Sequence, residues 1–232
     1  MNTLLKVGGM AALLHAAAYI VGLVIGVIFV FPVLGADPGQ YVAFVAEHQT
    51  LVYVWNLVSY WGSAITLVLM ALALYHRLQA GSPALVQTAT IFGLIWAALI
   101  IGSANLMLRN SGVIASLYAQ DPAQAAALWP ALQAVENGIV SGNELVGSLW
   151  VLLISIAALR SGELSRLFNY FGVAISAAGI LTIIPNWGES MIMVFGPGMI
   201  VWSIWLGVVL LMDSRSARHQ PVNLAVKGGG IA

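Results

Sequence analysis

Six apolar runs, near residues 8–34, 50–76, 84–108, 138–159, 167–185 and 190–212, constrain what this chain can fold into more than any other feature. A helix rises about 1.5 Å per residue and a bilayer's hydrocarbon core is about 30 Å thick, so roughly 20 such residues suffice to cross it. Backbone N–H and C=O groups find no water in that core, which leaves the α-helix as the only conformation a single run can take there. Of the 232 residues 61% are hydrophobic and only 7% are charged, a balance foreign to an ordinary soluble domain. The expected fold is therefore all-α, an integral membrane bundle of six transmembrane helices over residues 1–212, followed by a flexible cytoplasmic tail over 213–232. The first run is much longer than a signal-peptide core of about 7–15 residues, so it reads as a retained span.

The few charges are sorted by side. Lys6, Arg77, Arg160, Arg166, Arg215, Arg218 and Lys227 fall at the N-terminus, in alternate loops or in the tail, and Arg109 alone falls on the opposite side. Basic residues stay on the cytoplasmic side, so both termini are expected there, in a multi-pass protein of the cell inner membrane. Two opposite-side loops open alike. Asp37-Pro-Gly-Gln40 and Asp121-Pro-Ala-Gln124 each offer an N-cap Asp, Pro at the first helical position and Gln three after the cap. They predict two short extracytoplasmic interfacial helices, the second divided or kinked at Pro130.

Several chemistries are excluded. There is no cysteine, hence no disulfide, thiolate nucleophile or iron–sulfur cluster. Metalloprotease, hydrolase-elbow, phosphate-loop and dinucleotide signatures are all missing, and no ligand spacing links His15, His48, His76 and His219. Net charge is zero, which offers nothing to nucleic acid. No cofactor is expected, and the expected partners are the lipid bilayer and other membrane subunits or a second copy of the chain.

One stretch, Glu136 to Trp150, carries carboxylates and asparagines directly into an apolar run. On one helix Asn137, Ser141, Glu144 and Ser148 would form a polar stripe, and an ionisable group at membrane depth requires a partner or a wet cavity. Glu144 is placed about 9 Å below the outer start of its helix, level with Asn56 and Asn105 and one turn from Arg109, which is the natural partner for its charge. Gly196-Pro197-Gly198 interrupts the last run at the same depth. Either it is a proline kink in a continuous helix, or the segment ahead of it, with Asn186 and Glu189, is irregular and lines a cavity. Asn56, Asn105, Arg109, Glu144, Asn186, Glu189 and Pro197 are thus the candidate ligand-binding residues, with no catalytic or metal-ligating residue among them. His15 reads as a lone histidine bonded to a neighbour's serine or carbonyl, against a proton relay or haem ligand.

The run Leu159-Arg-Ser-Gly-Glu-Leu-Ser-Arg-Leu-Phe-Asn-Tyr-Phe-Gly-Val-Ala-Ile-Ser-Ala-Ala-Gly179, and later Ile200-Val-Trp-Ser-Ile-Trp-Leu-Gly207, resemble a bacterial membrane-protein family known as domain of unknown function 4386. The resemblance covers the last third of the chain, with Ser165 where the family pattern often has proline. It implies a multi-spanning bacterial inner-membrane protein and brings no activity and no functional residue. The reading is a non-enzymatic polytopic protein, either an accessory or structural subunit of a membrane complex or a binder of a small ligand or ion in an outward-facing polar layer. The alternatives are a transporter or sensor using Glu144, and an intramembrane enzyme or haem protein using His15.

Overall fold

The computed structural model describes residues 2–140 and 142–216, the side chains of Asn2, Glu189, Arg215 and Ser216 excepted. Ser141 of the expected stripe, the basic Arg218 and Lys227, and the expected tail from 217 onward lie outside the described residues. All regular structure among the described residues is helical. α1 (Asn2–Ile25) passes through a π-helical turn, Gly26–Val30, into α2 (Phe31–Leu34). α3 (Pro38–Glu47) precedes α4 (Gln49–Asn56), which continues through a second π-helical stretch, Leu57–Gly62, into α5 (Ser63–Leu78). There follow α6 (Pro83–Tyr118), α7 (Pro122–Val140), α8 (Asn143–Ser161), α9 (Arg166–Leu181) and α10 (Gly188–Ser216).

Five helical stretches are long and apolar enough to cross a membrane: Thr3–Leu34, Gln49–Leu78, Pro83–Tyr118, Pro122–Ser161 and Ser190–Ser214. Their outer faces carry large apolar side chains such as Leu14, Ile28 and Met193, which are 59%, 58% and 75% exposed. Such a surface is stable only against lipid, and the protein is a membrane protein.

α1, α5, α6, α8, α9 and α10 pack side by side in that order, and α10 returns to α1, which closes the six into a ring. Lipid offers no hydrophobic drive between helices, so close packing and small residues must hold them. Gly207 on α10 faces α1 so closely that a Cβ there would stand 2.9 Å from the Gly9 carbonyl oxygen. Inside the ring, Leu67, Met70, Ile154 and Leu206 are fully buried around a chain of aromatic rings. Trp96 to Trp150, Trp150 to Trp202 and Trp202 to Phe168 have centroids 6.0, 5.5 and 5.3 Å apart.

The two ends of the bundle are built differently. At one, Arg77 at the close of α5 pairs with Glu163 of the α8–α9 turn at 3.1 Å and with Asp213 of α10. At the other, α6 outruns the membrane, since its 36 residues span about 54 Å against a core of about 30 Å. The surplus carries a small cap, in which Tyr41, Val42 and Val45 of α3 bury against Ile114 of α6 and Ala125 and Trp129 of α7. Tyr41 stacks on Trp129 at 4.2 Å, and burial, with the Glu136 carboxylate nearby, pushes its phenol above the usual tyrosine range.

Both expected N-caps form, with Asp37 accepting from the Gly39 amide at 2.9 Å and Asp121 from those of Ala123 and Gln124 at 3.0 Å. The second helix is neither short nor divided. α7 runs 19 residues straight through Pro130, which removes one backbone bond while Trp129 beside it is anchored on α3. The helix breaks instead at Gly142, whose φ of 108° suits glycine, so the fourth run begins at Asn143 and not at 138. Asn137 and Glu144 consequently sit on different helices and the continuous polar stripe does not exist. α9 stops at Leu181 rather than 185, and α10 reaches Ser216, which places Asp213 in the helix and not in a tail.

Candidate functional site

Within the ring, on the side of the α7–α8 junction, lies a cavity of about 270 Å³. Every helix of the ring except α9 contributes to its wall. One π-helical segment lines it and the other adjoins a lining residue in sequence. The first delivers Phe31, which follows it directly, and the second holds Ser59 and Tyr60. A π turn inserts a residue into the helical ladder and re-aims the side chains around it, which is why such turns recur at functional sites. Ser63 mends the second one, since its hydroxyl donates back to the carbonyls of Ser59 and Tyr60.

α1 meets the second π segment closely at Gly22, where a Cβ would stand 2.8 Å from that of Ser59. The Gly22 carbonyl accepts from Trp55 Nε1 at 2.9 Å, which fixes the Trp55 ring in the wall. Trp96 of α6 is seated because Gly147 of α8 has no side chain, for a Cβ there would stand 2.6 Å from the indole. With Tyr19, Phe31, Tyr60 and Phe195 these indoles bring six aromatic rings to the wall.

Besides Ser59 and Ser63, the polar part of the wall comes from the start of α8. Glu144 lies in its first turn, where the helix dipole favours a carboxylate, and is half-buried. Among the described residues it is the one charged group in the lining. Asn143 is 8% exposed and donates through Nδ2 to Ser103 Oγ at 3.4 Å, while that hydroxyl donates to the Leu99 carbonyl at 2.9 Å. The chain of bonds orients the amide, and leaves Asn143 Oδ1 buried without a partner. Ser59 Oγ is likewise buried and unpartnered. Two buried oxygens thus remain unsatisfied on residues that line an apolar cavity, beside a carboxylate that accepts from the backbone amides of Gly142 and Glu144, an arrangement that costs stability unless something fills it.

His15 stands just outside this wall, 1% exposed, with Nδ1 donating to the Ser63 carbonyl at 3.0 Å and 3.1 Å from Thr66 Oγ1. That is the bonded histidine expected from the sequence, although its Nε2 has no partner. Its ring leans on Tyr19 at 4.7 Å, and no group of three or more His, Cys, Asp or Glu gathers anywhere among the described residues.

The expected site residues divide. Glu144 reaches the cavity, and so does Gly196, next to Pro197 in a helix that stays continuous through Gly196-Pro197-Gly198. The continuous-helix alternative therefore holds over an irregular segment. Asn56 is 1% exposed with Oδ1 unpaired, and is not part of the wall. Asn105 and Arg109 do not join the site: both are exposed on the outer side of α6, and the ion pairs among the described residues are those of Arg77, so the expected Arg109–Glu144 pair is absent. Asn186 lies in the exposed α9–α10 turn with φ of 72°, lining a separate surface pocket, and the side chain of Glu189 lies outside the described residues. Asn143, Ser59 and Tyr19 were not among the candidates. Tyr19 was detectable, since it lies four residues after His15 and shares its face.

A protein-family model described as a domain of unknown function, DUF4386, matches residues 7–213, most of the chain and not only its last third. No curated protein and no solved structure matches.

Proposed function

This chain belongs to the DUF4386 family, whose description carries no activity, and we propose that it is a non-enzymatic binding protein of the bacterial inner membrane that holds a small ligand inside its helical ring. The observation that carries the reading is the cavity, with Glu144, Asn143 Oδ1 and Ser59 Oγ set in a wall that is otherwise apolar. Six spans fit the closed ring. α9 is the short one, about 24 Å for its 16 residues, and the exposed Ile183, Ile184 and Trp187 that follow it extend its apolar reach. Lys6, Arg77, Arg160 and Arg166 mark the cytoplasmic end and the cap around α3 and α7 the opposite one, so the cavity opens toward the outer half of the membrane.

The test is purification in mild detergent, denaturation, and mass spectrometry of what is released. A small molecule from the wild type is expected, and its loss from Gly196→Phe, a position where an added Cβ meets no atom within 4 Å. A wild type that releases nothing beyond detergent and bulk lipid, and takes up no added ligand, overturns the reading.

A further inference from the structure

We infer that the cavity's ligand is a small organic cation, an ammonium head on a compact apolar body; this rests on the binding reading above and adds the class of ligand. Charge comes first. Among the described residues Glu144 is the single carboxylate in the lining and no Lys, Arg or His lines it with Glu144, so an anion would meet repulsion whereas a cation would answer the charge. Arg109, the residue best placed in the sequence to neutralise it, is exposed on the outer side of α6.

The remaining polar atoms point the same way. Asn143 presents an unpaired acceptor oxygen, because one amide hydrogen is held by Ser103, whose own proton is committed to Leu99. Ser59 Oγ adds a second unpaired oxygen, a hydroxyl able to accept or to donate. A carboxylate with acceptor oxygens matches a ligand that donates or is positively charged.

The rest of the wall selects among cations. A bare metal ion asks for several oxygen ligands at close range, whereas this lining gives one carboxylate among Tyr19, Phe31, Trp55, Tyr60, Trp96 and Phe195. Aromatic faces attract alkylated ammonium groups and pack on their methyl or ring substituents. Trp55 is particularly suited, since its N–H is already spent on the Gly22 carbonyl and what it presents is ring. A volume of about 270 Å³ is far more than a dehydrated ion needs and suits a molecule of a few to a dozen heavy atoms.

The experiment uses the full-length protein in detergent and reads tryptophan emission, since Trp55 and Trp96 line the cavity, together with thermal melting. Choline and benzyltrimethylammonium are the probes, set against 3,3-dimethylbutan-1-ol, the uncharged isostere of choline, and against sodium chloride at equal ionic strength. Saturable binding of at least one cation is expected, with the isostere weaker by about tenfold or more. Glu144→Gln should weaken the cation by about tenfold or more and leave the isostere unaffected, while Glu144→Asp, which keeps the charge, should stay within about threefold of wild type. An isostere that binds as tightly as choline overturns the cationic ligand and leaves the binding reading standing. Sodium chloride reproducing the effect overturns it in favour of a bare ion. If no probe binds and nothing co-purifies, both readings fall. Should both Glu144 variants fail to fold, the wild-type contrast between choline and its isostere decides alone.

Discussion

Asn110 and Glu136 illustrate what one polar pair does at the edge of the membrane. Both are buried, at 7% and 8% exposure, and the Asn110 amide donates to the Glu136 carboxylate at 2.8 Å, joining α6 to α7. Replacing Asn110 by Leu strands a buried carboxylate oxygen, and a loss of about 1–3 kcal/mol is expected, measured as a fall in melting temperature. Glu136→Gln, which can still accept that bond, should lose less. Gly22→Val sets a branched side chain against Ser59, so it should both lower the melting temperature and abolish probe binding. If melting falls while probe affinity stays at the wild-type level, the Gly22–Ser59 contact is not part of the cavity's frame. The sequence disclosed Glu144 because a carboxylate beside an apolar run has few explanations. It misplaced Asn105 and Arg109 together, because depth along a helix carries no azimuth. Four residues apart, they share one face of α6, and that face is the outer one, whereas Ser103 and Asn110, seven apart, share the inward face.

At the scale of helices, the long apolar runs were legible and their interruptions were not. The break at Gly142 rests on a positive φ in open space, which one more glycine in an apolar run does not announce, and the two π-helical segments leave no mark in composition. The extension of α6 to Tyr118 was hidden for a related reason: its last turns are stabilised by α3 and α7, whose packing no single-helix pattern reveals. Turn chemistry was easier, since the two Asp-Pro caps formed as expected. Ser165, where the family pattern often has proline, caps α9 by accepting from the Phe168 amide at 3.2 Å. Arg77 ties the ends of α5 and α10 and the α8–α9 turn together, a role the sequence did not suggest. Its partners Glu163 and Asp213 are 43% and 40% exposed, so Arg77→Ala should cost only about 0.5–1 kcal/mol, and less at high salt. Arg77→Lys should not restore the loss, because one ammonium cannot reproduce the guanidinium fork across two carboxylates. Melting of the three proteins in low and high salt measures both expectations.

For the molecule as a whole, the absence of native cysteine permits single-cysteine labelling without background. Ser82→Cys, in the α5–α6 turn, should resist an impermeant maleimide in intact cells, and Ala123→Cys, in the first turn of α7, should react. The reverse pattern would invert the orientation and place the cavity toward the cytoplasm. That the chain has several runs long enough to cross a bilayer was readable in the sequence, while the order of helices around the ring was not, because every run is apolar enough to face either lipid or protein. That order has a consequence in time. Of the described helices α1 is synthesised first, yet its most extensive neighbour is α10, the last of them. Until then the groove around Gly9, shaped to admit another backbone, is presented to lipid or to whatever insertion factor shelters it. Chains cut short before Gly207 should therefore be inserted but recognised as orphans and degraded, and supplying α10 as a separate peptide should rescue them.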